Sequence, residues 1–126
     1  MEIIKRIYDL EDRTIQFALM IIDVVESMPN KMVANYYANQ LLRSGSSPAL
    51  NYAEAQVSES RADFIHKMKI CLKELNESRV ILRIIKAKNL SRNSDFCTKT
   101  LEEAIELTSI FSKSIKTAKT NKYNQH

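Results

Sequence analysis

The chain has 126 residues, of which 44% are apolar and 27% charged, with a single Gly and two Pro. That is enough for one domain with one modest core, and so few turn residues exclude hairpin-rich folds and Gly-rich phosphate cradles. The formal net charge of +4 is not spread evenly: residues 1–112 balance 15 Lys/Arg against 15 Asp/Glu, so the excess is Lys113, Lys116, Lys119 and Lys122.

Residues 1–8 form a lead-in carrying Ile3, Ile4 and Ile7. They lack the apolar stretch and cleavage site of a secretory leader. No apolar run approaches the roughly 20 residues of a membrane span. A cytoplasmic chain is expected. Asp9 is the expected N-cap of a first helix running to about Met28, with Glu11 and Asp12 where the helix dipole favours acid. Its stripe is Leu10, Phe17, Ile21, Val24 and Met28, widened by Ala18, Ile22 and Val25. Pro29 ends it.

The second helix is expected from about Lys31 to Val57. Gly45 and Pro48 threaten its interior, and hydroxyls of Ser44, Ser46 and Ser47 can serve the freed backbone. We expect one helix bent between Ser44 and Pro48; two helices with a turn at Gly45 are the alternative. Along one face run Gln40, Ser44, Ser47, Asn51, Glu54 and Ser58, at alternating spacings of four and three. That is a lengthwise helical row, and it is entirely polar.

A hinge at 58–60 leads, through a capping box of Ser60 and Asp63, into a third helix to about Lys88. Its seam is Phe64, Met68, Cys71, Leu75, Ser78, Leu82 and Ile85. After a turn at 89–93 a fourth helix starts at Ser94 or at Thr100 and runs to about Lys119. Its seam is Cys97, Leu101, Ala104, Thr108, Phe111, Ile115 and Ala118, and residues 120–126 form a basic tail that should fray. Four amphipathic segments on short connections, spanning 9–119, predict an all-α antiparallel up-down-up-down four-helix bundle. Cys71 and Cys97 fall on apolar faces and read as buried free thiols, with an inter-helix disulfide as the alternative.

The runs Gln40-Leu41-Leu42-Arg43-Ser44-Gly45-Ser46-Ser47, Asn51-Tyr52-Ala53-Glu54-Ala55, Asp63-Phe64-Ile65-His66-Lys67-Met68-Lys69 and Lys73-Glu74-Leu75-Asn76-Glu77 resemble the bacterial four-helix bundle family named for proteins encoded in intervening sequences of 23S rRNA genes. Phe17-Ala18 and Lys116-Thr117-Ala118 also fit. The resemblance implies a subunit that assembles into a ring, a pentamer. The accessory protein of diversity-generating retroelements is similar, which implies nucleic-acid binding and a reverse-transcriptase partner. This chain departs from that protein in lacking a broadly basic body.

The chemistry available to an enzyme is thin. His66 is the only histidine within the bundle, no Cys/His spacing suits zinc, and Asp63 with His66 makes only one of the two carboxylate–histidine pairs of a di-iron bundle, with Asp in place of Glu. We expect no catalytic, metal or cofactor site. The polar row predicts instead a semi-buried network between the second and third helices, made by Ser44, Ser47, Asn51, Glu54, Lys67 and Glu74. Folding about the hinge brings Asn51 towards Lys67, Glu54 towards Asp63 or Lys67, and Ser44 towards Glu74. Ile3, Ile4, Ile7, Ile70, Ile81 and Ile84 exceed what one core should bury, and predict a homo-oligomer interface. Lys113, Lys116, Lys119 and Lys122 are the candidates for weak, non-specific RNA or DNA contact, multiplied into a basic rim in a ring. The expected function is a non-catalytic assembly or adaptor protein; a scaffold for a protein partner, without nucleic acid, is the alternative.

Overall fold

The computed structural model describes residues 10–123, with side chains to residue 120. Four helices fill it: α1 (Leu10–Glu26), α2 (Met32–Gln56), α3 (Arg61–Ala87) and α4 (Ser94–Tyr123). There is no strand among the described residues. The expected lead-in at 1–8 and the Asp9 cap lie outside them.

Each connection ends its helix by a local device. At the start of α3 the Ser60 hydroxyl accepts from the Asp63 amide at 3.1 Å, one half of the expected box. At its end Asn89 takes φ 55°, the left-handed conformation that Asn tolerates best after Gly. The Leu90 amide then reaches back to the Ile85 carbonyl (2.9 Å) and the Asn89 amide to Lys86 (3.2 Å). This is a Schellman closure, with Leu90 packed on the core beside it. The N-cap of α4 is Asn93, whose Oδ1 accepts from the Phe96 amide at 3.0 Å. The alternative start at Thr100 is not used; that residue is buried and returns its hydroxyl to the Phe96 carbonyl.

The four helices pack cyclically, α1 on α2, α2 on α3, α3 on α4 and α4 on α1. Neighbours run antiparallel, as the cross-links show: Ser44 meets Ser78 while Glu54 meets Lys67, and Cys97 meets Leu82 while Arg61 meets the Ala118 carbonyl. The chain is an all-α four-helix bundle. Its axis is lined by Phe17, Ile21, Leu41, Met68, Leu75, Leu82, Ile85, Leu107 and Phe111, all fully buried. Tyr52 stands edge-on to Phe111, centroids 5.8 Å apart. Burying each such side chain is worth about 1.5–3 kcal/mol, so the seams, not the polar contacts below, hold the bundle together.

Two expectations about α2 are resolved. It is one continuous helix through Pro48, which removes the two-helix alternative. Gly45 proves to be a contact point: a Cβ there would lie 2.8 Å from both Cδ1 and Cγ2 of Ile21 and would also collide with Cγ1. Only a residue without a side chain lets α1 come this close.

Candidate functional site

Polar contact between α2 and α3 falls at three separate places, two of them on the predicted row and one beside it. Ser44 is fully buried and its hydroxyl accepts from that of Ser78 on α3 at 2.9 Å. Arg43 reaches across to Glu74 (3.0 Å) and to Glu77. The hydrogen bond to Glu77 raises the guanidinium pKa above its ordinary value; desolvation opposes the rise and the charges of both carboxylates add to it. Glu54 pairs with Lys67 at 2.6 Å nearer the hinge. Asn51 and Ser47 make no cross-helix bond. The Asn51 amide donates to the Ser47 hydroxyl (2.8 Å) and carbonyl (3.1 Å), one turn back on the same helix. Glu74 does not meet Ser44; it meets Arg43, a residue absent from the predicted row, as are Glu77 and Ser78.

The cysteines are buried free thiols. Cys71 points at the Pro48 carbonyl, 3.5 Å away, and burial pushes its pKa up to about 12. Burial also raises that of Cys97. Neither is a nucleophile at neutral pH. Asp63 and His66 are both exposed, and no group of three metal-ligating side chains occurs among the described residues. A cleft of about 620 Å³ opens between α1 and α4, lined by Leu10, Arg13, Tyr52, Glu106, Ile110 and Lys113 among others. Arg13 there is engaged by Glu103 (2.8 Å) and Glu106 (3.2 Å). Burial, and then the charge of Glu11, raise the pKa of the Tyr52 hydroxyl. These groups hold helices together and present no nucleophile beside a base.

The surface differs from expectation in where it is apolar. Ile81 is buried and Ile70 and Ile84 are half-buried. The reason is that α3 packs on both α2 and α4, so its covered arc is wider than one seam. Ile3, Ile4 and Ile7 lie outside the described residues. Large apolar side chains are left in water on every helix, among them Met32, Tyr36 and Leu50 on α2, Val80 on α3 and Ile105 on α4, and on α1 Ile15, Leu19 and Ile22 (44, 48 and 37% exposed) form a row. At 100° per residue Ile15, Leu19 and Ile22 lie within about 40° of the direction opposite Phe17. They crown the outer face of α1, where an amphipathic helix is ordinarily polar. Ile22, expected to widen the core, belongs to this outer row. Around it α1 carries Glu11, Asp12, Asp23 and Glu26 against Arg13 alone.

The outer face of α3 is the reverse. His66, Lys69, Lys73, Asn76, Val80 and Arg83, again at alternating steps of three and four, are all exposed. None of these side chains belongs to an ion pair among the described residues. The basic row escapes a reading of net charge because Asp63, Glu74 and Glu77 on other faces offset it. On α4, Lys113, Lys116 and Lys119 are exposed, while Lys122 lies beyond the described side chains. Spaced by three, they drift around the helix instead of sharing one face.

Helices packed in a ring of four, joined by polar contacts and free of assembled catalytic chemistry among the described residues, define a small helical-bundle protein. The profile of the 23S rRNA-intervening sequence protein family matches residues 7–114, and the chain belongs to that family. A crystal structure of a protein of unknown function from the S23 ribosomal protein family of Bacteroides thetaiotaomicron is similar. It is 31% identical, with a TM-score of 0.73, over 84% of this chain and 97% of that one. No curated protein matches this chain. None of the helices is long and apolar enough to cross a membrane among the described residues.

Proposed function

We propose that this is a non-catalytic, cytoplasmic assembly protein whose identical copies cover one another's outer α1 face. The observation that carries this reading is the row Ile15, Leu19 and Ile22 on the side of α1 farthest from the core. Three large aliphatic side chains at helical spacing in water are an interaction surface awaiting a partner. Family membership adds to the reading, because resemblance to its members implies a ring of five copies. The test is light scattering of the wild type and of an Ile15→Asp/Leu19→Asp variant at micromolar concentration. The wild type is expected as a multiple of 14.5 kDa, and the variant as a monomer with unchanged helical circular dichroism. A monomeric wild type overturns the proposal.

A second reading, nucleic-acid contact, is favoured by the unpaired basic row of α3 together with Lys113, Lys116 and Lys119. Contacts of this kind track phosphates and weaken steeply with salt. Filter binding of single-stranded RNA at low salt, with and without Lys113→Gln/Lys116→Gln/Lys119→Gln, tests it. Substitution is preferable to truncation because Ile115 and Ala118 in the same segment are buried. Absence of binding at low salt leaves the assembly protein as a scaffold for a protein partner.

A further inference from the structure

We infer that the outer face of α1 in one copy docks on the outer face of α3 in the next. The inference rests on the self-assembly reading and names the surface that covers the α1 row.

Complementarity singles out α3. The α1 row of Ile15, Leu19 and Ile22 is bracketed by carboxylates, Glu11 and Asp12 at one end and Asp23 and Glu26 at the other. Two such faces set against each other would bring acid to acid, so a self-complementary α1–α1 contact is disfavoured. α2 offers no counter-charge, since Arg43 is already held by Glu74 and Glu77. α3 presents Lys69 and Lys73 at one end of its ridge and Arg83 at the other, with no acid between them on that row. The spans agree: Glu11 to Glu26 is about 22 Å and Lys69 to Arg83 about 21 Å, at 1.5 Å per residue. At the Arg83 end lies a depression of about 260 Å³ lined by Val80, Arg83, Ile84 and Ala87. It is mainly aliphatic, and it can take an isoleucine or leucine side chain from the facing helix.

The two faces look away from each other, because α1 and α3 are diagonal in the bundle and do not pack together. Each copy therefore offers one acidic-apolar face and one basic-apolar face. The contact is heterologous: it closes into a ring if each step rotates the next copy, and otherwise it extends.

Two variants test the pairing. Asp23→Lys/Glu26→Lys reverses one end of the α1 face, at a helix C-terminus where lysine is well tolerated. Lys73→Glu/Arg83→Glu reverses the α3 ridge at exposed positions. Each alone is expected to raise the dissociation constant for self-association, measured by sedimentation, at least tenfold, with melting temperature kept. An equimolar mixture is expected to associate more tightly than either variant alone, because the reversed α1 face of one meets the reversed α3 face of the other, with one like-charged junction left in any ring of odd number. Reversed variants that assemble like an oligomeric wild type overturn the α1–α3 pairing and leave self-assembly standing. A monomeric wild type removes both. If Lys73→Glu/Arg83→Glu stays assembled but loses low-salt binding of polyuridylate, the ridge serves nucleic acid and the pairing is likewise overturned.

Discussion

Ser44 and Gly45 are sequence neighbours on α2, yet the two junctions they make obey different physics. Gly45 faces α1 and gains its place by having no side chain, so that Ile21 can sit against the backbone. Ser44 faces α3 and gains its place by a hydroxyl that meets another hydroxyl in a dry environment. The first junction is governed by volume and is indifferent to pH and salt. The second is governed by matching of polar groups, and towards the surface it grades into ion pairs that water and salt weaken. One helix is thus fixed to one neighbour by shape and to the other by pairing.

The contrast breaks most sharply at Gly45. Gly45→Ala should destabilise the bundle by about 1–3 kcal/mol in urea unfolding, despite a gain of about 1 kcal/mol in helix propensity. Shortening the partner should relieve it: Ile21→Ala is expected to cost less in the Gly45→Ala background than alone, where about 2–5 kcal/mol is usual. If Gly45→Ala stabilises the protein, the volume argument fails. Across the helix, Ser44→Ala leaves the Ser78 hydroxyl buried without its acceptor, and about 1–2 kcal/mol should be lost. Removing both hydroxyls should cost less than the sum of the two single changes, because no orphan remains. Simple additivity of the two would show that the hydroxyls do not act as a pair.

A third measurement concerns Cys71, at the same α2–α3 junction. Its thiol pKa is raised from 9.0 to about 12 by burial, so the fold favours the neutral form. The stability linked to it is complete below pH 9 and is lost as pH rises from 9 towards 12, by about 1 kcal/mol at pH 9.5. Cys71→Ala should flatten that part of the profile, and in the native protein Cys71 should resist thiol reagents until unfolding exposes it. Smallest of all is the exposed pair at the hinge. Lys67→Ala should cost no more than about 0.5 kcal/mol, and that cost should vanish in high salt.

Much of this was legible beforehand, for a physical reason. Periodicity marks the axis of a helix, so Phe17, Ile21, Met68, Leu75, Leu82 and Phe111 were readable as core from spacing alone. The hinge length brings Glu54 near Asp63 or Lys67, and charge decides for Lys67. Periodicity does not state how wide the covered arc is, because that depends on how many neighbours a helix has. Hence Ile81 and Ile22 exchanged roles, one passing inward on a helix with two broad contacts and the other outward on α1. The charge ridge of α3 was hidden by acids on its other faces, and Arg43 by its place outside the polar row. Asn51 looked available to α3 but had a nearer acceptor at Ser47, one helical turn away. Gly45 read as a weakness since a propensity scale counts what glycine lacks within its own helix, not what that lack allows a neighbour to do.

The Arg92 amide donates to the Ser27 carbonyl at 3.1 Å, and the Ser27 and Ser91 hydroxyls lie 2.7 Å apart. The α1–α2 corner is thereby laced to the α3–α4 corner by main chain as well as side chain. Transient opening of the molecule should therefore begin at the other extremity, where α1 meets α4 across a cleft, and travel toward the laced corners last. Deuterium should enter the α4 amides near Lys113 well before those of Phe96 and Cys97, which Asn93 holds.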